Sequence, residues 1–263
     1  MKQLKANTHA MSTLAIALII IIIIGSLVAI VVTAVLLGVW HPYGLIVGSG
    51  EIVTEERDFI EFTIVEVGWG FKVEINQSES YSISITADDN MLDNIEVFRS
   101  NNKLTIGLKW GYGYQNVTLR AKITMPELHE LQLSGGTHGT IEGFSTTHEF
   151  VLELSGGSSL TGNFTTSGDA KFTLSGGSHL IKLDGVANNL RTSASGGSDL
   201  NLLDFSVHNA TVSLSGGSHA NINLDGRLDA DLSGGSHIRY IGDPTMGIIE
   251  TSGGSTVESY YSP

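Results

Sequence analysis

Cysteine is absent from this chain, and proline occurs only four times in 263 residues. The first absence excludes a disulfide framework and any thiolate metal site, so stability must come from packing. Basic residues are scarce: 14 Lys and Arg stand against 27 Asp and Glu, for a formal net charge of −13. Lys2 and Lys5 are the only formal charges among the first 40 residues, so residues 41–263 carry −15 of that total. A module this acidic repels nucleic acid, because phosphate binding needs Lys and Arg, and no nucleic-acid partner is expected. An anionic membrane surface repels it by the same argument. Beyond the N-terminal segment, no window sustains a 3.6-residue apolar period, which argues against amphipathic helices.

One long apolar run is present. Residues 14–39 read LAIALIIIIIIGSLVAIVVTAVLLGV, 26 residues without a charge. As a helix this run extends about 39 Å, enough to cross a bilayer with some tilt. A cleaved secretory signal has an apolar core of about 7–15 residues, so the run reads as an uncleaved anchor. Lys2 and Lys5 precede it, and Glu51, Glu55, Glu56 and Asp58 follow it. The positive-inside rule then places the N-terminus in the cytoplasm and residues 41–263 outside, with Trp40 and Tyr43 at the interface. The expected localisation is the cell membrane, single-pass.

The expected organisation has five parts: a cytoplasmic tail (1–13), a transmembrane anchor (14–39), a linker (40–47), a β-rich outer part (48–128) and a repeat region (129–263). In the β-rich part, short alternating runs at 61–67, 71–75, 81–86, 103–108 and 117–125 are separated by turn signals such as Asn76-Gln77-Ser78 and Asp88-Asp89-Asn90.

Glycine is abundant, at 32 residues. Much of it sits in one corner written seven times: LSGGTH at 133–138, LSGGSS at 154–159, LSGGSH at 174–179, ASGGSD at 194–199, LSGGSH at 214–219 and 232–237, and TSGGST at 251–256. The first serines are Ser134, Ser155, Ser175, Ser195, Ser215, Ser233 and Ser252, so the period is close to 20. A fixed period of that size signals a solenoid, and the strand-forming composition makes it a β-solenoid. The fold expected is all-β: a parallel β-solenoid of about seven rungs, stacked at about 4.8 Å over roughly 34 Å, preceded by a β-rich segment and one transmembrane helix.

Counted from the first serine, positions −3, −1 and +5 are mostly apolar and should stack inward. The corner glycines are Gly135, Gly136, Gly156, Gly157, Gly176, Gly177, Gly196, Gly197, Gly216, Gly217, Gly234, Gly235, Gly253 and Gly254. They supply positive φ and let rungs approach closely. The hydroxyl at +3 should face inward and satisfy turn backbone groups. Residues 48–128 are expected to cover one end of the column, and Tyr260, Tyr261 and Pro263 the other.

These segments, in this order, carry a resemblance. The strand NKLTIGL (102–108), the step ITMPELHELQLSGGT (123–137) with its Pro126-Glu127-Leu128, and the ladder of LSGGS corners resemble the family called putative auto-transporter adhesin, head GIN domain, a domain of unknown function, over about residues 48–259. The resemblance implies a right-handed solenoid-like fold outside the cytoplasmic membrane, and adhesion by name. It brings no catalytic residues.

Position +4 should face outward. Down the column it reads His138, Ser159, His179, Asp199, His219, His237, Thr256. Three readings stand together: a solvated by-product of duplication, a divalent-metal site at His179, Asp199, His219 and His237, and a pH-responsive face. No other cofactor is expected. A serine hydrolase needs one base, one orienter and an oxyanion site, not seven similar corners. A calcium-binding nonapeptide array needs an Asp in every nine-residue repeat. A polysaccharide lyase rests on fold analogy alone. The sequence therefore points to a non-enzymatic binding module for a cell-envelope polymer or surface protein, or a structural or sensor partner of another membrane protein. Four Asn-x-Ser/Thr sequons, at Asn76, Asn116, Asn163 and Asn209, matter only in an organism that glycosylates exported proteins.

Overall fold

A computed structural model of the chain describes residues 44–260. The expected anchor at 14–39 lies outside the described residues, as do Tyr261 and Pro263. Among the described residues no helix is long and apolar enough to cross a membrane. The described residues are all-β, with one short 3₁₀ turn at Asp89–Asn94. Two units are distinguished. In the small one, Leu45–Val47 pairs in parallel with Gly113–Gln115, and the Gly113 amide donates to the Gly44 carbonyl at 2.9 Å.

The large unit is a solenoid of two sheets, one of ten strands and one of eleven. Each turn places one strand before the glycine corner in the ten-stranded sheet and one after it in the eleven-stranded sheet. Before the corners run Glu130–Leu133, Phe150–Leu154, Ala170–Leu174, Asn189–Ala194, Asn209–Leu214, Arg227–Leu232 and Thr245–Thr251. After them run His138–Thr146, Ser159–Thr166, His179–Val186, Asp199–Val207, His219–Leu224, His237–Ile241 and Thr256–Ser259. Every neighbouring pair in these two series is parallel, so six stacking steps join the seven corners.

The corner chemistry explains the repeated letters. Gly176 and Gly177 have φ of +63° and +71°, and the other pairs match them closely. Two successive left-handed residues reverse the chain without a side chain in the way. A Cβ on Gly176 would approach the Gly156 nitrogen to 3.3 Å, so the rung below also demands glycine there. The +3 hydroxyls face inward as expected. Ser178, Ser198, Ser218 and Ser236 are fully buried, and each donates to the carbonyl three residues earlier at 2.8–2.9 Å. A buried hydroxyl without such a partner would cost about 1–3 kcal/mol, so small hydroxyl residues suit this place.

The inward rows at −3, −1 and +5 are buried from Leu131 to Ile238. Phenylalanines widen the core into a partly stacked series: Phe144, Phe164, Phe150, Phe172 and Phe205. Thr192, at −3, is the discordant member, with a buried hydroxyl that meets no partner.

The ladder continues beyond the seven written corners. Ile64–Val67 pairs in parallel with Glu130–Leu133, and Lys72–Gln77 with His138–Thr146. Val67-Gly68-Trp69-Gly70-Phe71 therefore takes the place of Leu133-Ser134-Gly135-Gly136-Thr137. Trp69 and Gly70 reproduce the corner with φ of +65° and +77°. Lys103–Leu108 and Leu119–Met125 form one more layer beside it, again parallel. Chain order and spatial order differ here, because the layer at 64–77 is inserted between the layers at 103–125 and 130–146.

Antiparallel strands close that end. Ser82–Asp88 pairs with Leu119–Met125, Ile52–Glu56 pairs with Ser82–Asp88, and Ile95–Ser100 pairs with Lys103–Leu108. Glu55 and Glu56 on an edge strand discourage further pairing. At the other end Met246, Ile248 and Ile249, on the edge strand of the ten-stranded sheet, stay exposed, as does Tyr260. Tyr261 and Pro263, the other members of the expected cap, lie outside the described residues.

Asp88 holds the closed end. It is 1 % exposed, and its carboxylate accepts the Gly50 amide at 2.7 Å and the Thr118 amide at 2.6 Å. The Thr118 and Gly50 hydrogen bonds keep its pKa below the usual 3.8. Asp88→Ala removes the acceptor of two amides in a part-buried setting, so a loss of about 1–3 kcal/mol in urea unfolding is expected. The sign with pH follows from the depressed pKa. The contribution is present above the unfolded-state pKa and is lost as pH falls through the lower folded-state value. The stability gap between wild type and Asp88→Ala should therefore narrow below pH 3.8.

Candidate functional site

Strand alternation turns +4 outward, directly beside the inward +5 row. Parallel pairing then aligns the outward residues in register: His138 with Ser159, Ser159 with His179, His179 with Asp199, Asp199 with His219, His219 with His237, and His237 with Thr256. Lys72 and Arg120 extend the same line past His138. This ladder spans nine strands of the eleven-stranded sheet at one strand spacing. A second outward row beside it includes Lys122, Glu74, Thr140 and Thr161 at one end and Asn201, Asn221, Arg239 and Glu258 at the other.

The ten-stranded sheet presents different chemistry. Its outward −2 row runs Thr105, Glu66, Gln132, Glu153, Thr173, Ser193, Ser213, Asp231 and Glu250, with acids and no cation. The cations and imidazoles of the +4 line thus lie on one sheet and an acid-bearing row on the other.

Within the histidine ladder Asp199 is the hub. One carboxylate oxygen meets His179 Nδ1 at 3.0 Å and the other lies 3.3 Å from His219 Nδ1. The His219 and His237 rings are 5.3 Å apart, and His237 Nδ1 meets the Thr256 hydroxyl at 2.9 Å. His138 stands apart from this group, beside Ser159 and Lys72. His179, Asp199 and His219 are each about half exposed. The adjacent serine cannot act with these histidines, because Ser178 points inward and His179 outward.

A different group brings metal-binding atoms closest together. Glu127, His129 and His148 each offer one ligand atom within 4.8 Å of the others, and among the described residues no other group of three does so. His129 Nε2 and the Glu127 carboxylate are 3.2 Å apart, and the His129 and His148 rings 4.7 Å. The sequence reading passed over this trio. The available signal was Glu127-x-His129 with buried Leu128 between them, followed one period later by His148.

Charged pairs elsewhere have structural work. Asp229 accepts Arg227 through both oxygens and the Ile248 amide at 2.7 Å, pinning the edge strand Thr245–Thr251, and its pKa is lowered to about 2, chiefly by Arg227. Lys182 lies 3.1 Å from Asp184 and 3.4 Å from Asp204, and its pKa is raised, chiefly by the hydrogen bond to Asp184.

Taken together, these features define a parallel β-solenoid of two sheets, with a periodic polar face and a buried hydroxyl at six of its seven glycine-pair corners. The chain belongs to the family described as "Putative auto-transporter adhesin, head GIN domain", which matches residues 61–244. Solved structures share the fold. A "putative adhesin" from Bacteroides fragilis NCTC 9343 is 20% identical with a TM-score of 0.73, over 81% of this chain and 99% of that one. A "putative adhesin" from Parabacteroides merdae ATCC 43184 is 20% identical with a TM-score of 0.63, over 82% and 98%. A "putative lipid binding protein" from Parabacteroides distasonis ATCC 8503 is 18% identical with a TM-score of 0.63, over 82% and 99%. A comparison with curated proteins gives no match.

Proposed function

We propose that this chain is a non-enzymatic, adhesin-like binding module, held at the outer face of the cell membrane by residues 14–39. Its eleven-stranded sheet engages a linear envelope polymer. The observation that carries this reading is the in-register ladder from Arg120 and Lys72 through His138 to Thr256. A row of hydrogen-bonding groups repeating at one strand spacing, about 4.8 Å, suits a ligand that is itself long and repetitive. The net charge of −13 disfavours polyanions at long range, so a neutral polysaccharide is the ligand class supported best. The adhesin descriptions of the family and its structural neighbours agree with a binding role.

The test is retention of the full chain, purified in detergent, on immobilised neutral and acidic glycans and on envelope polymers, with and without EDTA. Specific retention on a neutral glycan is expected. The double variant His179→Ala/His219→Ala should weaken it about tenfold or more, an effect of roughly 1.4 kcal/mol. An absence of retention on every polymer would overturn the reading and favour a protein partner in the same membrane. The exposed apolar end at Met246, Ile248 and Ile249 gives that second reading its own surface.

A further inference from the structure

The structure assigns a divalent transition-metal site to Glu127, His129 and His148, away from the histidine ladder. The donor set is two imidazoles and one carboxylate, which suits Zn²⁺, Ni²⁺ or Cu²⁺ and does not suit Mg²⁺ or Ca²⁺. The geometry is already gathered, with the three ligand atoms within 4.8 Å of one another. Typical Zn–N and Zn–O distances are about 2.0–2.2 Å, so closing on an ion needs only small side-chain rotations. In the present arrangement His129 Nε2 and a Glu127 oxygen face each other at 3.2 Å. An ion between them would replace the hydrogen bond, with the imidazole neutral and any bound proton released.

The backbone fixes two of the three ligands. The His129 amide donates to the Thr63 carbonyl at 2.8 Å, and its own carbonyl accepts the Val151 amide at 2.8 Å. The His148 carbonyl accepts the Thr166 hydroxyl at 2.6 Å, and the His148 amide donates to the Thr146 hydroxyl at 3.2 Å. The two histidines thus come from neighbouring layers of the solenoid and are held by its ladder. Both line a shallow cavity with Asn102, Glu130 and Glu149. The two additional carboxylates make that hollow more anionic and favour a cation. Glu127 and His148 are exposed and His129 is half-buried, which leaves room for water or a ligand oxygen on the ion. Three protein ligands with an open position form a site that can also hold an outside group, unlike a closed structural site.

The histidine ladder does not compete on geometry. Asp199 uses separate oxygens for His179 and His219, and that trio does not gather its donors to the same closeness.

The test uses the full chain in detergent with Co²⁺, Zn²⁺ and Ni²⁺ alone as probes. Calorimetry should give one equivalent per chain, and Co²⁺ should produce ligand-field bands in the visible spectrum. His129→Ala and His148→Ala should each weaken binding about tenfold or more. His179→Ala/His219→Ala should leave it unchanged. His148 is exposed, so its variant should fold, and an unchanged melting temperature without metal checks this. Three outcomes overturn the proposal: no saturable binding, binding that survives loss of both His129 and His148, or binding lost only when the ladder histidines are removed.

Discussion

Phe164→Ala should cost about 3–5 kcal/mol in urea unfolding, the range for emptying a fully buried phenylalanine site. Phe164 has no exposed surface. Its ring stacks on Phe150 at 3.8 Å with 13° between planes, and on Phe144 at 5.8 Å with 18°. Phe150 in turn meets Phe172 edge-on at 5.9 Å. Truncation therefore opens a void bordered by two other aromatic rings, from strands that are themselves hydrogen-bonded into neighbouring layers. In a solenoid each layer leans only on its neighbours, so the damage should be felt most in that layer and the ones on either side. Hydrogen exchange should show faster opening at Phe150–Leu154 and Ala170–Leu174 than at the antiparallel end. Phe98, half exposed, serves as the control, and its replacement by Ala should stay within about 0.5 kcal/mol. A loss at Phe164 no larger than at Phe98 would mean that the aromatic series is not a structural core.

Gly162→Ala should destabilise by about 3 kcal/mol or more, combining a left-handed backbone penalty with overpacking. Gly162 has φ of +141°, and a Cβ there would lie 1.9 Å from the Ile141 carbonyl oxygen in the neighbouring layer. No side-chain rotation relieves a clash with backbone. The same arrangement returns at Gly185, whose Cβ would lie 2.0 Å from the Phe164 oxygen, and at Gly242, 1.9 Å from the Leu224 oxygen. These glycines lie where strands of the eleven-stranded sheet shift register or end. Gly157 is the comparison. It belongs to a written corner, has φ of +77°, and a Cβ there would meet nothing within 4 Å. Gly157→Ala should cost only the backbone penalty, about 1–2 kcal/mol. Chemical denaturation of the two variants gives the order directly. Equal or reversed losses would show that the corner, and not the close approach between strands, sets the demand for glycine.

Both predictions separate what repetition advertises from what packing requires. The SGG corners were visible because the same backbone need was met by the same letters seven times. Gly162, Gly185 and Gly242 serve a stricter need but sit in dissimilar surroundings, so no pattern marks them. The layer at 64–77 was hidden for a related reason. Its corner keeps only the second glycine, while Trp69 takes the left-handed place of the first and Phe71 the buried place of the hydroxyl. A repeat search reads letters, whereas the ladder tests φ, burial and register. The outward row was legible from Ser134 onward because alternation and a fixed period are one-dimensional facts. Its extension to Lys72 and Arg120 was not, because residues 64–77 enter the stack out of chain order.

The candidate metal trio shows the same limit. His129 and His148 lie 19 residues apart in the sequence. Their rings meet because His148 sits in the turn after one strand and His129 at the entry to another, in adjacent layers. Nothing in the composition distinguishes them from the remaining seven of the nine histidines.

The sequence by itself determined the all-β class, the period near 20, the glycine corner, the inward rows and the outward histidine line. Each follows from local rules: positive φ needs glycine, alternation sorts faces, and repetition fixes register. Tertiary structure alone decided that each turn has two sheets, that two further layers enter out of order, and that antiparallel strands with Asp88 close one end. It also decided which histidines converge. Those outcomes depend on which strands pair across long separations, and pairing energy is shared among many positions, so no single stretch of residues records it.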